Sequence, residues 1–185
     1  MPASSLLNVS SADVVGFWRD AGPSRWFRKD AAFDEQFRDR FLTAHEAALR
    51  GELDAWAGDA HGTLALLILL DQFPRNAFRA TPRMFESDTK AREIAGQALR
   101  AGFDAQLEAE LRNFFYLPFM HSEQLADQDL AVELTRPLGD EPLRYAIMHR
   151  DIIEKFGRFP HRNAVLGRAT TPEEQRFLDD GGFAG

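Results

Sequence analysis

Apolar positions recur at intervals of three and four along most of the chain, and no stretch alternates with period two for long enough to read as a strand. Ser10 or Ser11 is placed to cap a first helix through Val14, Val15, Phe17 and Trp18, which Gly22-Pro23 stops. A linker with Trp26 and Phe27 leads to a helix over about 31–50. There Phe33, Phe37, Phe41, Ala44 and Ala48 form one stripe, while Asp34/Arg38 and Glu46/Arg50 pair at i,i+4 on the other side. Gly51 ends it, and a short piece around Leu53–Trp56 follows. The next helix, over about 60–73, is apolar almost all round and therefore central. It is expected to stop near Phe73, because the residue before Pro74 is pushed out of the α region.

Ser87 or Asp88 opens a helix whose Ala91, Ile94, Ala95, Ala98 and Leu99 form a complete stripe ending at Gly102. Asp104 is expected to cap a helix with Leu107, Leu111, Phe114 and Phe115 on one face, terminated before Pro118. Ser122 is expected to cap another, carrying Ala126, Leu130 and Leu134 and ending near 137–139. Pro142 suits the first turn of a helix through Leu143, Ala146, Ile147, Ile153 and Phe156 to Gly157. A short last helix runs from Thr171-Pro172-Glu173 to before Gly181-Gly182. The class is all-α: a single-domain array of about eight helices over 1–185, with 1–10 a frayed arm and 181–185 a flexible tail.

The most apolar run, Leu64 to Leu70, is far shorter than the roughly 20 residues of a membrane span, so it reads as a buried helix segment. The N-terminus has neither the basic region nor the apolar run of a signal peptide, which points to a cytoplasmic protein with no membrane partner. The absence of cysteine excludes disulfides, thiol nucleophiles and Cys-ligated metals. Net charge is −7, which speaks against a nucleic-acid partner. Positive charge is nevertheless concentrated: 73–83 holds Arg75, Arg79 and Arg83 with no acid, and 144–168 holds six basic residues against Asp151 and Glu154. Phenylalanine, at 16 residues, is in excess and must fill a core, an interface or a pocket. The three tryptophans fit a core or an interface equally, which leaves the oligomeric state open.

Motifs with a recognisable chemistry fail when their partners are demanded. His149-Arg150-Asp151 spells a kinase catalytic-loop triplet, but the required asparagine is Phe156; His45-Glu46 opens a zincin-like helix, but the second ligand is Leu49. No phosphate loop or dinucleotide fingerprint is present, and neither a metal nor a cofactor is implied. What remains is a near-repeat. Phe73-Pro74-Arg75-Asn76-Ala77 and Phe159-Pro160-His161-Arg162-Asn163-Ala164 share a Phe-Pro followed by Arg-Asn-Ala, each in a positive block. A guanidinium is a planar fork for carboxylate or phosphate, and an adjacent amide both donates and accepts, so two such forks would make an anion pocket. The plainer reading is structural: the asparagine ends a helix while the arginine bonds its last carbonyls or pairs with a buried acid. A second cluster is His121-Ser122-Glu123, fit for acid–base work or for a plain helix start.

Three strings together resemble the bacterial domain-of-unknown-function family nine-two-four. They are Leu69-Leu70-Asp71-Gln72-Phe73-Pro74-Arg75-Asn76, Phe115-Tyr116-Leu117-Pro118-Phe119-Met120-His121-Ser122-Glu123, and His149-Arg150-Asp151-Ile152-Ile153-Glu154 running into Gly157 through Asn163 and Leu166-Gly167-Arg168. The likeness spans about Val14 to Leu178. It implies an all-helical fold similar to tetratricopeptide repeats and a soluble protein, and it supplies no catalytic residues.

The reading that follows is a helical-array binding module for a peptide or an anionic small molecule, using Arg75, Asn76, His121, Glu123, Arg162 and Asn163. The alternative is an acid–base, hydrolase-like enzyme using His121 and Glu123 with an arginine clamp.

Overall fold

The computed structural model describes residues 8–184, so residues 1–7 of the expected arm over 1–10 and the final Gly185 of the expected tail lie outside the described residues. No strand occurs among the described residues, and the protein is all-α. The chain divides into two compact units: one runs up to Arg79 and takes in Arg83–Pro118, the other comprises Ala80–Pro82 and the chain from Phe119 onward.

The first unit begins with α1 (Ser11–Ala21), which starts as the sequence predicts: the Ser10 side chain accepts from the Asp13 amide while Asp13 reaches back to the Ser10 amide. The expected linker holds a one-turn helix, α2 (Pro23–Trp26), and α3 spans Ala31–Leu49 with Asp30 as its cap. A 3-10 turn, Asp54–Gly58, precedes α4 (Ala60–Leu67). Gly62 sits where a Cβ would overlap the Trp56 carbonyl, which is why the turn and the helix can approach so closely. α4 packs against α1 and against α6 (Asp88–Ala101) and is the centre of the unit, with Leu64 through Leu67 all buried.

Most of the phenylalanine excess resolves here. Phe17 stacks on Phe33 and Phe37 at 5.3 Å, Trp18 and Trp26 stack at 6.2 Å, and Phe114 meets both indoles edge-on. The Trp26 Nε1–H donates to the Trp18 carbonyl at 2.7 Å, so that indole is buried with its polar edge satisfied. Each ring withdrawn completely from water, such as Phe37, Phe41 or Phe73, contributes about 2–3 kcal/mol of transfer free energy.

Two prolines expected to end helices do not. After α4 the chain makes a π-turn over Ile68–Gln72 and continues as α5 (Phe73–Ala77). Because the Phe73 amide bonds the Ile68 carbonyl five residues back, Pro74 falls in the first turn of a new helix, where its missing N–H costs nothing. Similarly, α7 (Ala109–Met120) runs through Pro118 instead of stopping before it, preceded by a 3-10 turn over Asp104–Gln106.

In the second unit α8 (Leu125–Thr135) packs along α9 (Asp140–Phe156), and α10 (Pro172–Asp179) follows the 3-10 turn Pro160–Arg162. Here the sequence misplaces both a start and a face. Ser122 does not cap α8, whose first flanking residue is Gln124; the Ser122 hydroxyl instead donates to Asp127 and accepts from the Gln124 amide. The buried positions of α8 are Gln128, Ala131 and Thr135, while Leu130, expected inside, is 38% exposed. The polar face is inward because the Gln128 amide donates to the carbonyls of Met120 at 2.8 Å and Ser122 at 2.6 Å, closing the open end of α7. On α9 the buried set is Ala146, His149, Ile152 and Ile153, so the inward stripe passes through the histidine, and Ile147 faces outward. Ile152, Ile153 and Phe159 form an apolar cluster with Phe156, Phe177 and Phe183 packed on it.

Candidate functional site

The two Arg-Asn motifs belong to different units, and each is built into its own surroundings. In the first unit the π-turn and Pro74 disturb the helical ladder, and four successive carbonyls are met by side chains. Leu69 O pairs with His45 Nδ1 at 2.8 Å, Leu70 O with the Ser87 hydroxyl, Asp71 O with Arg75 Nη1 at 2.9 Å, and Gln72 O with Asn76 Nδ2 at 2.9 Å. Arg75 is also held by a bidentate fork on Asp88 at 2.9 and 3.0 Å and lies 3.3 Å from the buried Asp71. The carboxylates of Asp71 and Asp88 outweigh burial, so its guanidinium is held charged more firmly than usual.

The Asn76 side-chain oxygen, however, serves a different arginine. Arg79 donates to both oxygens of Asp34, at 2.6 and 3.1 Å, and to the Asn76 side-chain oxygen at 2.9 Å. The second unit repeats this arrangement. Arg168 donates to both oxygens of Glu123, at 2.7 and 3.0 Å, and to the Asn163 side-chain oxygen at 3.0 Å. Each near-repeat therefore ends in the same device: an asparagine orients an arginine that clamps a carboxylate distant in sequence. The first arginine of each motif does a matching job, since Arg162 donates to the His121 carbonyl at 2.9 Å as Arg75 does to that of Asp71. Arg79 and Arg168 were within reach of the sequence, three and five residues beyond each asparagine, but only a contact with Asp34 or Glu123 reveals their role.

Asn163 is fully buried and donates to Glu174, which Arg158 clamps at 2.6 and 2.8 Å and the Thr171 amide caps at 2.7 Å. Led by the Arg158 hydrogen bonds, these partners hold the Glu174 carboxyl at about 2. Glu123 also accepts from the Phe159 amide at 2.8 Å. Burial pushes its carboxyl up, but the Arg168 fork, that amide and the charges of Arg168 and Arg162 outweigh it and keep it below the ordinary carboxylate range. A carboxylate so saturated is a poor proton acceptor.

His121 finds other company. Its ring lies 6.5 Å from that of His149, which lies 5.5 Å from Phe159; His161 is 5.6 Å from Phe159 on its own side, and Phe183 packs on both His149 at 4.6 Å and His161 at 5.2 Å. Arg162 lies over the Phe159 ring at 4.4 Å. His149 Nδ1 meets the Tyr145 carbonyl at 2.8 Å, so that nitrogen carries the proton and Nε2 is left as the basic one. Burial chiefly, then the nearby His121, Arg162 and His161, pull His149 down to about 4; burial and Arg162 do the same to His161, against the pull of Glu123. The Nδ1 of His161 is buried and has no hydrogen-bond partner among the described residues. In the sequence His149 stands only in a failed kinase triplet and His161 only as an insertion in the near-repeat, because their convergence depends on α9 bringing its histidine to the 160–162 turn.

Among the described residues no group of three or more His, Asp or Glu side chains is placed to hold a metal ion, and no helix is long and apolar enough to cross a membrane. The model of a family described as bacterial proteins of unknown function, DUF924, matches residues 14–182. A solved structure of a protein of unknown function from Agrobacterium tumefaciens is similar at 55% identity, with a TM-score of 0.91, over 92% of this chain and 97% of that one. Among curated proteins none matches the chain.

Proposed function

The chain belongs to the bacterial family DUF924, and from that premise we propose that it is a cytoplasmic binding module for a peptide or an anionic small molecule, held beside His121, His161 and Arg162. In this reading the helices serve as a repeat-like scaffold of the tetratricopeptide kind, with α8 and α9 as one of its packed pairs. The observation that carries the proposal is the balance of charge around the imidazoles. Arg168 is paired with Glu123, whereas the guanidinium of Arg162 lies over Phe159, follows His161 in the chain and bonds the backbone carbonyl of His121. Such an excess of positive charge in a half-buried place favours an anion. Arg75, Asn76 and Asn163 then act as scaffold, since their polar atoms hold the π-turn and the two clamps.

The acid–base alternative needs Glu123 as a partner for His121, and both Glu123 oxygens are already taken by Arg168 and the Phe159 amide. A thermal-shift screen of metabolites and short peptides tests the proposal, because a ligand that binds the native state must raise its melting temperature. The expected hit raises the Tm of the wild type and loses its effect in Arg162→Ala and in His161→Asn. A hit whose shift is unchanged in both variants would contradict the proposed site.

A further inference from the structure

We infer that His121, His149, His161 and Arg162 form a site for the phosphoryl group of a small phosphate monoester, covered by the ring of Phe183. The inference rests on the binding reading above and narrows its ligand. Three imidazoles and a guanidinium gather in one unit: His149 and His161 both pack on Phe159 and Phe183, Arg162 lies over Phe159, and His121 lies against His149. The buried, unpartnered Nδ1 of His161 is the second sign, since a buried polar atom without a partner is rare and calls for one.

The choice among anions follows from protons. With His149 Nδ1–H fixed on the Tyr145 carbonyl, its Nε2 is a bare acceptor, and an imidazole acceptor cannot hold an anion until it gains a proton. The groups around the cluster do not supply one. Glu123 is clamped by Arg168, Arg162 is permanently charged, and on α10 Glu174 is tied to Arg158. A carboxylate ligand, ionised throughout the neutral range, brings no proton and offsets only one charge. A phosphate monoester, with a second pKa of about 6, brings both. Its monoanion donates its remaining P–OH proton in a hydrogen bond to a bare imidazole nitrogen, while its charged oxygens face the guanidinium. One oxygen thus serves as donor to an imidazole and the others as acceptors on the guanidinium side, a division that a carboxylate cannot make.

Phe183 is the side chain that has to move. At the end of α10 the Gly182 amide bonds the Phe177 carbonyl at 2.9 Å and the Gly181 amide bonds the Leu178 carbonyl at 3.2 Å, with Gly181 at φ +83°. This reversing turn lays Phe183 across His149 and His161. Apolar packing holds it, so truncating the ring opens the site without touching a polar group.

Isothermal titration of the full chain with phenyl phosphate, inorganic phosphate and benzoate at pH 6.5 and 7.5 tests this. Phenyl phosphate is expected to bind, with Kd rising about tenfold between those pH values as its monoanion is titrated away. Phe183→Ala is expected to bind more tightly, and His161→Asn and Arg162→Lys, checked for an intact melting transition, to bind at least tenfold more weakly. Inorganic phosphate binding as well as the ester would place recognition on the phosphoryl group alone and supports the inference. Benzoate binding at the cluster without phosphate would overturn this inference and leave the broader binding reading standing. No binding of any probe to wild type or to Phe183→Ala would overturn both.

Discussion

Acid should destabilise this protein in a pH range where its carboxylates are still ionised, and the size of the effect follows from one buried and one partly buried imidazole. His149 and His161 are held at about 4 in the folded chain and return to about 6.5 when it unfolds. Between those values the unfolded state binds more protons than the folded one, so stability rises with pH there and falls as pH drops from 6.5 toward 4. Above 6.5 neither group contributes. At pH 5.5 each fully buried imidazole removes about 1.4 kcal/mol. His161 is only partly buried, so the pair together removes about 2–3 kcal/mol. His45 is shifted in the same direction by burial and adds to the loss. Glu123 and Glu174, held low by their arginines, contribute only at more acid pH, as pH falls through their folded values. Urea unfolding at pH 7.5 and 5.5 measures the difference, with the His149→Phe variant expected to lose roughly half of it while its ring still packs on Phe159 and Phe183. Equal stabilities at the two pH values, or a His149 Cε1 proton resonance titrating near 6.5, would refute the burial argument.

Other consequences concern the scaffold. Gln128→Leu keeps the volume but strands the Met120 and Ser122 carbonyls, and a loss of about 2 kcal/mol is expected in denaturant titration. Ser87→Ala leaves the Leu70 carbonyl without its hydroxyl and should cost about 1–2 kcal/mol; adding Pro74→Ala restores a backbone N–H nearby, so a double-mutant cycle should show the pair to be less damaging than the sum. Gly62→Ala drives a methyl into the Trp56 carbonyl and should cost about 3 kcal/mol or more, visible as a large drop in Tm.

The helices were legible because their stripes are long and their ends carry strong signals: the cap at Ser10, the start at Thr171 and the stop at Gly102 all stand where the sequence places them. The failures share a cause. Pro74 and Pro118 forbid a regular helix only if no other group serves the disturbed carbonyls, and around Pro74 those groups come from Ser87 and His45, far along the chain. Leu130 outside and Gln128 inside likewise invert the apolar rule, because the carbonyls of Met120 and Ser122, at and just past the end of α7, needed donors more than the core needed a leucine. The candidate residues in the second unit were half legible. Arg162, Asn163, His121 and Glu123 were visible as a motif and a string, but their roles divide between clamp and cluster only once Arg168 claims Glu123 and α9 brings His149 to His121.

The five histidines offer a direct test of where a ligand goes, because His121, His149 and His161 lie in the second unit and His45 and His61 in the first. Two-dimensional NMR of the imidazole resonances during titration with phenyl phosphate, with benzoate as the parallel arm, reads all five at once. The account predicts shifts confined to His121, His149 and His161, with their apparent pKa values raised by the bound anion. Saturable shifts at His45 or His61, with the other three unmoved, would contradict it.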